Sequence, residues 1–410
     1  MTVTLSLPCV QRPSTRLPPL RATETLRHGD YDRIRRRMVL DFCKWDPQVA
    51  DVSTLAPFAL KMPRATWQEL ATAAELLSRE TLELENALLP RQDLQRRLAV
   101  PRSLRRLLQS DQPLTPTAAR VMRFDFHLTD EGWRISEVNS DVPGGFAEAS
   151  AFTAMMAEHL GCEPAGDPGA AYADALAAHG DTIVLLSAAG FLEDQQVVAG
   201  LAQLLEARGC TAILAQPAQL RWVDGHAFLD GRRIDAIVRF YQAEWFCRLP
   251  RRLGWSNLFV GGRTPVANPA VALLSESKRL PLVWAELDVP LSAWPRYLPE
   301  TLEPRDAGWQ SDDRWLLKTA YCNTGDTVTL RAQTTRRQWL ATKLDLLLHP
   351  TQWIAQRRFR TLPIDSPVGQ MFPCIGVYTI DGGACGIYAR LSRGPIVNYQ
   401  AMDVAVLIEE

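Results

Sequence analysis

Between Thr182 and Tyr241 the hydrophobic period of the chain switches from two to 3.6 and back, and this limits the possible folds more than any other feature. Ile183 to Leu186 and Thr211 to Leu214 are short apolar runs, while Glu193 to Arg208 between them carries its apolar residues at helical spacing. A short hairpin through Val223, Asp224 and Gly225 follows, then a strand over Ala236 to Tyr241. Strand, helix and strand in this order predict a βαβ unit and an open α/β layer. The first turn, Ser187 to Phe191, has one glycine, Gly190, where a dinucleotide site needs three to bring a pyrophosphate against a helix N-terminus. A nicotinamide-dependent oxidoreductase is therefore disfavoured.

With 410 residues, 47% of them apolar, the chain can bury two or three packed subdomains. Residues 1–27 are rich in Pro, Ser, Thr and Arg without an apolar period and read as a flexible leader. The helical hairpin predicted over Ala65 to Leu98, broken near Pro90, and a β-hairpin over Val121 to Asn139 with its turn at Asp130-Glu131-Gly132 make up residues 28–150. The α/β layer occupies 170–262. Residues 263–410 read as an α+β lobe, with helices at Val271 to Leu280 and Arg336 to Leu348. Its strands are expected at Trp315 to Lys318, Val328 to Leu330, Trp353 to Phe359, Cys374 to Ile380 and Ala384 to Leu391.

Charge and composition exclude several partners. The 45 basic and 46 acidic side chains leave a net charge of −1, so no broad field exists for gripping nucleic acid or an anionic membrane. Arg35 to Arg37 and Arg105 to Arg106 are read as solvated helix faces. Eight cysteines form no C-x-x-C pair, Cys385 among them being read as core, and the six histidines never fall at H-x-x-x-H spacing, so any metal should be bound by oxygen. No apolar run approaches the ~20 residues that span a bilayer, and a cytoplasmic location is the expectation.

The β-hairpin carries the most chemistry. Arg123 and Asp125 share a face of one strand, and Glu137 and Asn139 share a face of the next, because side chains alternate with period two. Three oxygen ligands and a guanidinium can converge there. Mg²⁺ takes few carboxylates plus phosphate and water oxygens, and arginine presents a planar fork to phosphate, which suits a metal-nucleotide. An exposed hairpin with surface ion pairs is the other reading these residues leave open.

From about Tyr31 onward the chain resembles the synthetase domain of the glutathionylspermidine synthase family. That family has an R-x-D strand, an E-x-N strand and a D-x-P turn, matched by Arg123/Asp125, Glu137/Asn139 and Asp141/Pro143. The resemblance implies a circularly permuted ATP-grasp fold, α/β and α+β, with a Rossmann-like pre-ATP-grasp layer. It also implies ATP and two Mg²⁺ ions as cofactors, with Asp125, Glu137 and Asn139 as metal ligands and Arg123 against the transferring phosphate. Tyr241 to Trp245 resembles the family's Y-P-x-E-W stretch, with Glu244 and Trp245 either structural or facing substrate. The segment Asn268 to Lys278 and the strand Leu316 to Tyr321 resemble those carrying two ATP-contacting lysines, here Lys278 and Lys318. A glycine-rich loop follows in the family; here Cys322 to Thr327 has the single Gly325, with Asn323 and Thr324 beside it to close on phosphates. Gln356, before Thr361-Leu362-Pro363, resembles a residue bordering the adenine. Arg390, ending Gly386 to Arg390, resembles the arginine that stabilises the transferring phosphoryl group, with Arg393 as substitute.

The implied activity is that of an acid–amine or acid–amino acid ligase. It would activate a small-molecule or peptide carboxylate as an acyl phosphate and join it to an amine, releasing ADP and phosphate. A catalytically weakened ATP-binding protein of the same fold is the alternative, because the loop around Gly325 is poor in glycine. The acid, the amine and homo-oligomerisation are left open by the sequence.

Overall fold

The structure is a computed structural model, which describes residues 19–49, 52–321, 328–331, 334–398 and 400–410. Its main body is a nine-stranded sheet that joins distant parts of the chain. The order across it is Arg21–Ala22, Leu55–Pro63, Met402–Glu409, Gly383–Ser392, Gly369–Ile380, Val121–Thr129 and Gly132–Asn139, with Glu163–Pro164 and Ile364–Ser366 pairing at the side. Met402–Glu409 runs parallel to Leu55–Pro63 and antiparallel to Gly383–Ser392. The helix Arg64–Leu88 lays Leu70, Ala73, Ala74, Leu77, Thr81, Leu84 and Leu88 against this body, the spacing of one helical face.

The expected α/β layer is present as a four-stranded parallel sheet in the order Val266–Ala267, Ala236–Phe240, Thr182–Ser187, Thr211–Ala215. The helix Leu192–Glu206 makes the crossover and buries Val198, Leu201, Ala202 and Leu205. A smaller antiparallel sheet, Thr301–Leu302, Trp353–Arg357 and Trp315–Thr319, carries the helix Arg336–Leu348 beside it. No described helix is long and apolar enough to cross a membrane.

One local expectation is corrected. The helix expected over Val271 to Leu280 is only Ala272–Glu276, and Lys278 lies beyond it in a segment whose N–H donates to the carbonyl of Ala320 at 2.9 Å. After the strand that precedes Tyr241, Ala243–Arg248 winds into a 3₁₀ helix, packing Phe246 against Trp255 and Phe259.

Three buried polar clamps fix the hairpin on the α/β layer. Asn268 spends its whole side chain on backbone, accepting from Val121 N–H at 2.7 Å and donating to the carbonyls of Val121, Ser140 and Asp141 at 2.8–3.0 Å. Glu276 accepts from the N–H groups of Ser140 and Asp141 at 2.7 and 3.0 Å. Asp141 pairs with the buried Arg239 of the parallel sheet and accepts from Ala243 N–H at 2.8 Å. Burying these groups is tolerable only because their donors and acceptors are answered, and loss of one partner leaves the other's desolvation uncompensated.

Candidate active site

The large sheet, the Trp315–Thr319 and Trp353–Arg357 strands and the segment Pro395 to Val397 enclose a cleft of ≈ 1020 Å³ counting its solvent-open mouth. Arg123, Asp125, Glu137, Lys318, Gln356 and Arg390 all line it. Asn139 stands directly across the hairpin from Arg123 and reaches the site through Asp125, to which its Nδ2 donates at 3.1 Å. Lys278 enters from the neighbouring depression and pairs with Glu137 Oε2 at 3.1 Å. Asn323, Thr324 and Gly325 lie outside the described residues. Eight of the ten residues singled out from the sequence are thus described, and all eight meet at one place.

Arg123 and Asp125 form a buried fork, Nε to Oδ1 at 2.7 Å and Nη2 to Oδ2 at 3.0 Å, while Nη1 donates to the carbonyl of Gly144 at 2.7 Å. The guanidinium also lies 5.0 Å from the Tyr388 ring centre. Burial works against its charge, but Asp125 overcomes this and raises its pKa well above the usual arginine value. Tyr378 interacts with the guanidinium as well, its ring centre 6.0 Å away.

Glu137 shows the same contest. Burial would raise its pKa, yet Lys278 and Lys318 outweigh it and hold the carboxyl below its ordinary range. Lys318 Nζ also donates to the carbonyl of Ser136 at 3.0 Å. Arg390 Nη2 donates to the carbonyl of Asn398 at 2.8 Å, and Gln356 Nε2 to Thr301 Oγ1 at 3.2 Å.

A β-bulge sets the direction of Glu137. Phe124 pairs with Val138 but Phe126 pairs with Ile135, so Ser136 and Glu137 together oppose Asp125, and both line the cleft despite being neighbours in sequence. Period-two alternation alone does not give this placement. His127 also lines the cleft, two residues beyond Asp125 on the same face; its ring is stacked near Phe359 at 5.3 Å, and burial pushes its pKa down to about 4. The i, i+2, i+4 spacing of Arg123, Asp125 and His127 was a usable signal for it.

Gly376 is a further site residue that the sequence reading passed over. It pairs with Asp125 across the sheet, and a Cβ there would stand 2.7 Å from Arg123 Cδ and 2.9 Å from Asp125 Oδ1. An isolated glycine inside a strand pattern is the sequence sign of such a close approach.

The donor set suits a hard divalent cation. Asp125 takes its bonds from Arg123 and Asn139 on two oxygens that offer about four lone-pair positions in all. Among the described residues no three His, Cys, Asp or Glu side chains gather into a cage of protein ligands alone. Two carboxylates and an amide are what Mg²⁺ needs from a protein when phosphate and water oxygens complete its shell.

A two-hairpin wall of antiparallel strands, a smaller sheet facing it across a cationic cleft and a parallel layer behind define an ATP-grasp protein. More narrowly, the chain belongs to the glutathionylspermidine synthase pre-ATP-grasp family, whose model matches residues 39–409. This membership points to a ligase-type function. Among solved structures, a glutathione synthetase-like effector from Globodera pallida, in its apo form, superposes with a TM-score of 0.62 at 12% identity, covering 93% of this chain and 96% of that one. A protein assigned as a gamma-glutamylcysteine synthetase from Methylobacillus flagellatus is similar at 13% identity and a TM-score of 0.42, over 78% of this chain and 86% of that one. Only the first bears on the fold. Among curated proteins none matches this sequence.

Proposed function

We propose that the protein is an ATP-dependent carboxylate–amine ligase that forms an amide through an acyl phosphate and releases ADP and phosphate. The observation that supports this best is the convergence of Arg123, Asp125, Glu137, Lys278, Lys318 and Arg390 from separate stretches of chain around one cleft. A carboxylate does not react with an amine in water because its leaving group is poor. Transfer of a phosphoryl group to it supplies a good one, and the protein's task is to position and neutralise.

Asp125, Glu137 and Asn139 would hold Mg²⁺, which when bound neutralises phosphate oxygens and orients them for transfer. Glu137 is kept ionised for this role by its two lysine neighbours. Lys278 and Lys318 would place compact positive charge on the phosphates, and Gln356 would border the adenine. Arg390 and Arg123 would meet the charge that develops on the transferring phosphoryl group. The Arg123–Asp125 fork fixes both partners in advance, so little reorganisation accompanies the step. The loop Asn323 to Gly325 would close over the phosphates. A small-molecule or peptide acid and an amine are the substrates.

The test is ADP release with magnesium across a panel of acids and amines. Glu137→Gln should abolish it while leaving thermal unfolding close to wild type, and near-normal turnover by that variant would remove the metal assignment. Because Gly325 is the one glycine of its loop, a second reading is a catalytically weakened ATP-binding protein. Tight Mg-ATP binding with no ADP release on any acid–amine pair would select it.

A further inference from the structure

Outside the catalytic cleft, the helices Gln92–Arg97 and Arg102–Leu108 face each other across a second depression of ≈ 660 Å³, counting its open mouth. Its lining is Gln92, Arg96, Arg102, Arg105 and Arg106, and none of these lines the catalytic cleft. Spacing explains the grouping. Gln92 and Arg96 are four apart on one helix, and Arg102, Arg105 and Arg106 are three and four apart on the other, so each set shares a face.

Sequence alone suggested that Arg105 and Arg106 belong to a solvated helix face with acids nearby. Arg106 is exposed, but the acids pair elsewhere. Arg91 and Arg97 take Asp93 and Glu286, but among the described residues Arg96, Arg102, Arg105 and Arg106 have no ion pair with any carboxylate. On a protein whose net charge is −1, four guanidiniums gathered without a counter-charge repel one another, and a bound anion would relieve that repulsion. Burial, followed by the charges of Arg96, Arg102 and Arg106, lowers the pKa of Arg105, as expected where like charges crowd.

The cradle is also held in shape. Arg105 Nε donates to the carbonyl of Val100 at 3.1 Å, and Gln95 Nε2 donates to the carbonyls of Leu88 and Leu89 at 3.0 and 2.9 Å. Ser277 Oγ donates to the carbonyl of Leu98 at 2.7 Å, and Arg279 Nε to that of Arg97. The backbone that presents the arginines is thereby fixed before any ligand arrives, which cuts the ordering cost of binding.

We propose that the depression between Gln92–Arg97 and Arg102–Leu108 is a binding site for a linear oligophosphate, held by Arg96, Arg102, Arg105 and Arg106. Guanidinium forks match phosphate oxygens two at a time, and four forks in one depression match successive phosphates of a short chain. The lining of this one depression is four arginines and a glutamine, a set whose size suits a short phosphate chain.

The probe is inorganic tripolyphosphate without magnesium, titrated calorimetrically at low and moderate salt into wild type, Arg102→Gln/Arg106→Gln and Lys318→Gln. Both replaced arginines are exposed, and Mg-ATP binding by that double variant should stay at the wild-type level, which serves as its fold control. Salt-sensitive binding should weaken at least about tenfold in Arg102→Gln/Arg106→Gln, since charge-assisted bonds are lost, and persist in Lys318→Gln. Wild-type affinity in the double variant, disappearance of binding with Lys318→Gln alone, or no binding to wild type at low salt would each overturn the proposal. Duplex DNA bound more tightly than tripolyphosphate, and lost in the same double variant, would overturn the assignment to a small ligand.

Discussion

Replacing Gly376 with alanine puts a methyl group where the Arg123–Asp125 fork now sits. The new Cβ would lie 2.7 Å from Arg123 Cδ, 2.9 Å from Arg123 Nε and 2.9 Å from Asp125 Oδ1. Ordinary carbon contacts are about 3.5–4.0 Å, so roughly 1 Å of overlap must be relieved. Gly376 is not among the glycines of positive φ, so alanine suits the strand itself and the cost comes from displacement. Arg123 has little room to yield, being tied to Asp125, to the Gly144 carbonyl and to the face of Tyr388. Overpacking of this kind costs about 1–3 kcal/mol. Urea unfolding of Gly376→Ala should show that loss, and Mg-ATP affinity should fall with it. The same substitution on an Arg123→Ala background removes Cδ and Nε, leaves only Asp125 Oδ1 close to the new methyl, and should cost clearly less, a coupling measurable in a double-mutant cycle. Equal costs on both backgrounds would refute the steric reasoning, and no cost on either would show that the fork yields freely.

Further substitutions test other parts of the structure. Lys44 Nζ reaches Glu148, Asp46 and Asp403 at 2.5, 3.1 and 3.4 Å, with Lys44, Glu148 and Asp403 all buried; Lys44→Met should destabilise by about 3–5 kcal/mol in urea unfolding, because buried carboxylates lose their counter-charge. His127 has its folded pKa lowered to about 4 from an ordinary 6.5, so the unfolded chain binds the extra proton between these values and the stability it contributes is lost as pH falls through that window. Going from pH 7 to 5 should therefore cost wild type about 2 kcal/mol more than His127→Gln, and parallel pH profiles would count against the assignment. Tyr388 Oη donates to Asp403 Oδ1 at 2.7 Å while its ring faces Arg123, so Tyr388→Phe should lose about 1 kcal/mol of stability with Mg-ATP affinity within twofold of wild type, read by unfolding and by nucleotide titration.

Local patterns carried much of this structure in the sequence. The hairpin Val121 to Asn139 and the βαβ unit after Thr182 were legible because both follow simple periods and end at turn residues. Lys318 and Gln356 were found by resemblance, since one lysine on a strand is ordinary by itself. What escaped is non-local. The bulge at Ser136 and Glu137 depends on the partner strand, and the closeness of Gly376 to Asp125 depends on a pairing between residues some 250 positions apart. The helix Arg336–Leu348 was legible by its leucines, yet Leu340, Leu344, Leu347 and Leu348 face outward, so a correct period did not reveal the buried face. The arginine cradle joins two short helices whose facing surfaces no single period describes.

The place of Met402–Glu409 in the large sheet has a consequence for biosynthesis. This strand lies between Leu55–Pro63 and Gly383–Ser392, and the bond from Arg64 to Glu410 beside it spans 346 residues. As the ribosome extends the chain, Leu55–Pro63, with most of its residues buried in the finished protein, must wait with one edge unpaired until Met402–Glu409 has been made. Such an edge readily accepts the wrong strand, so the nascent chain passes through a long interval in which aggregation competes with folding. Chaperone demand and expression temperature should then weigh on yield more than the stability of the finished fold does.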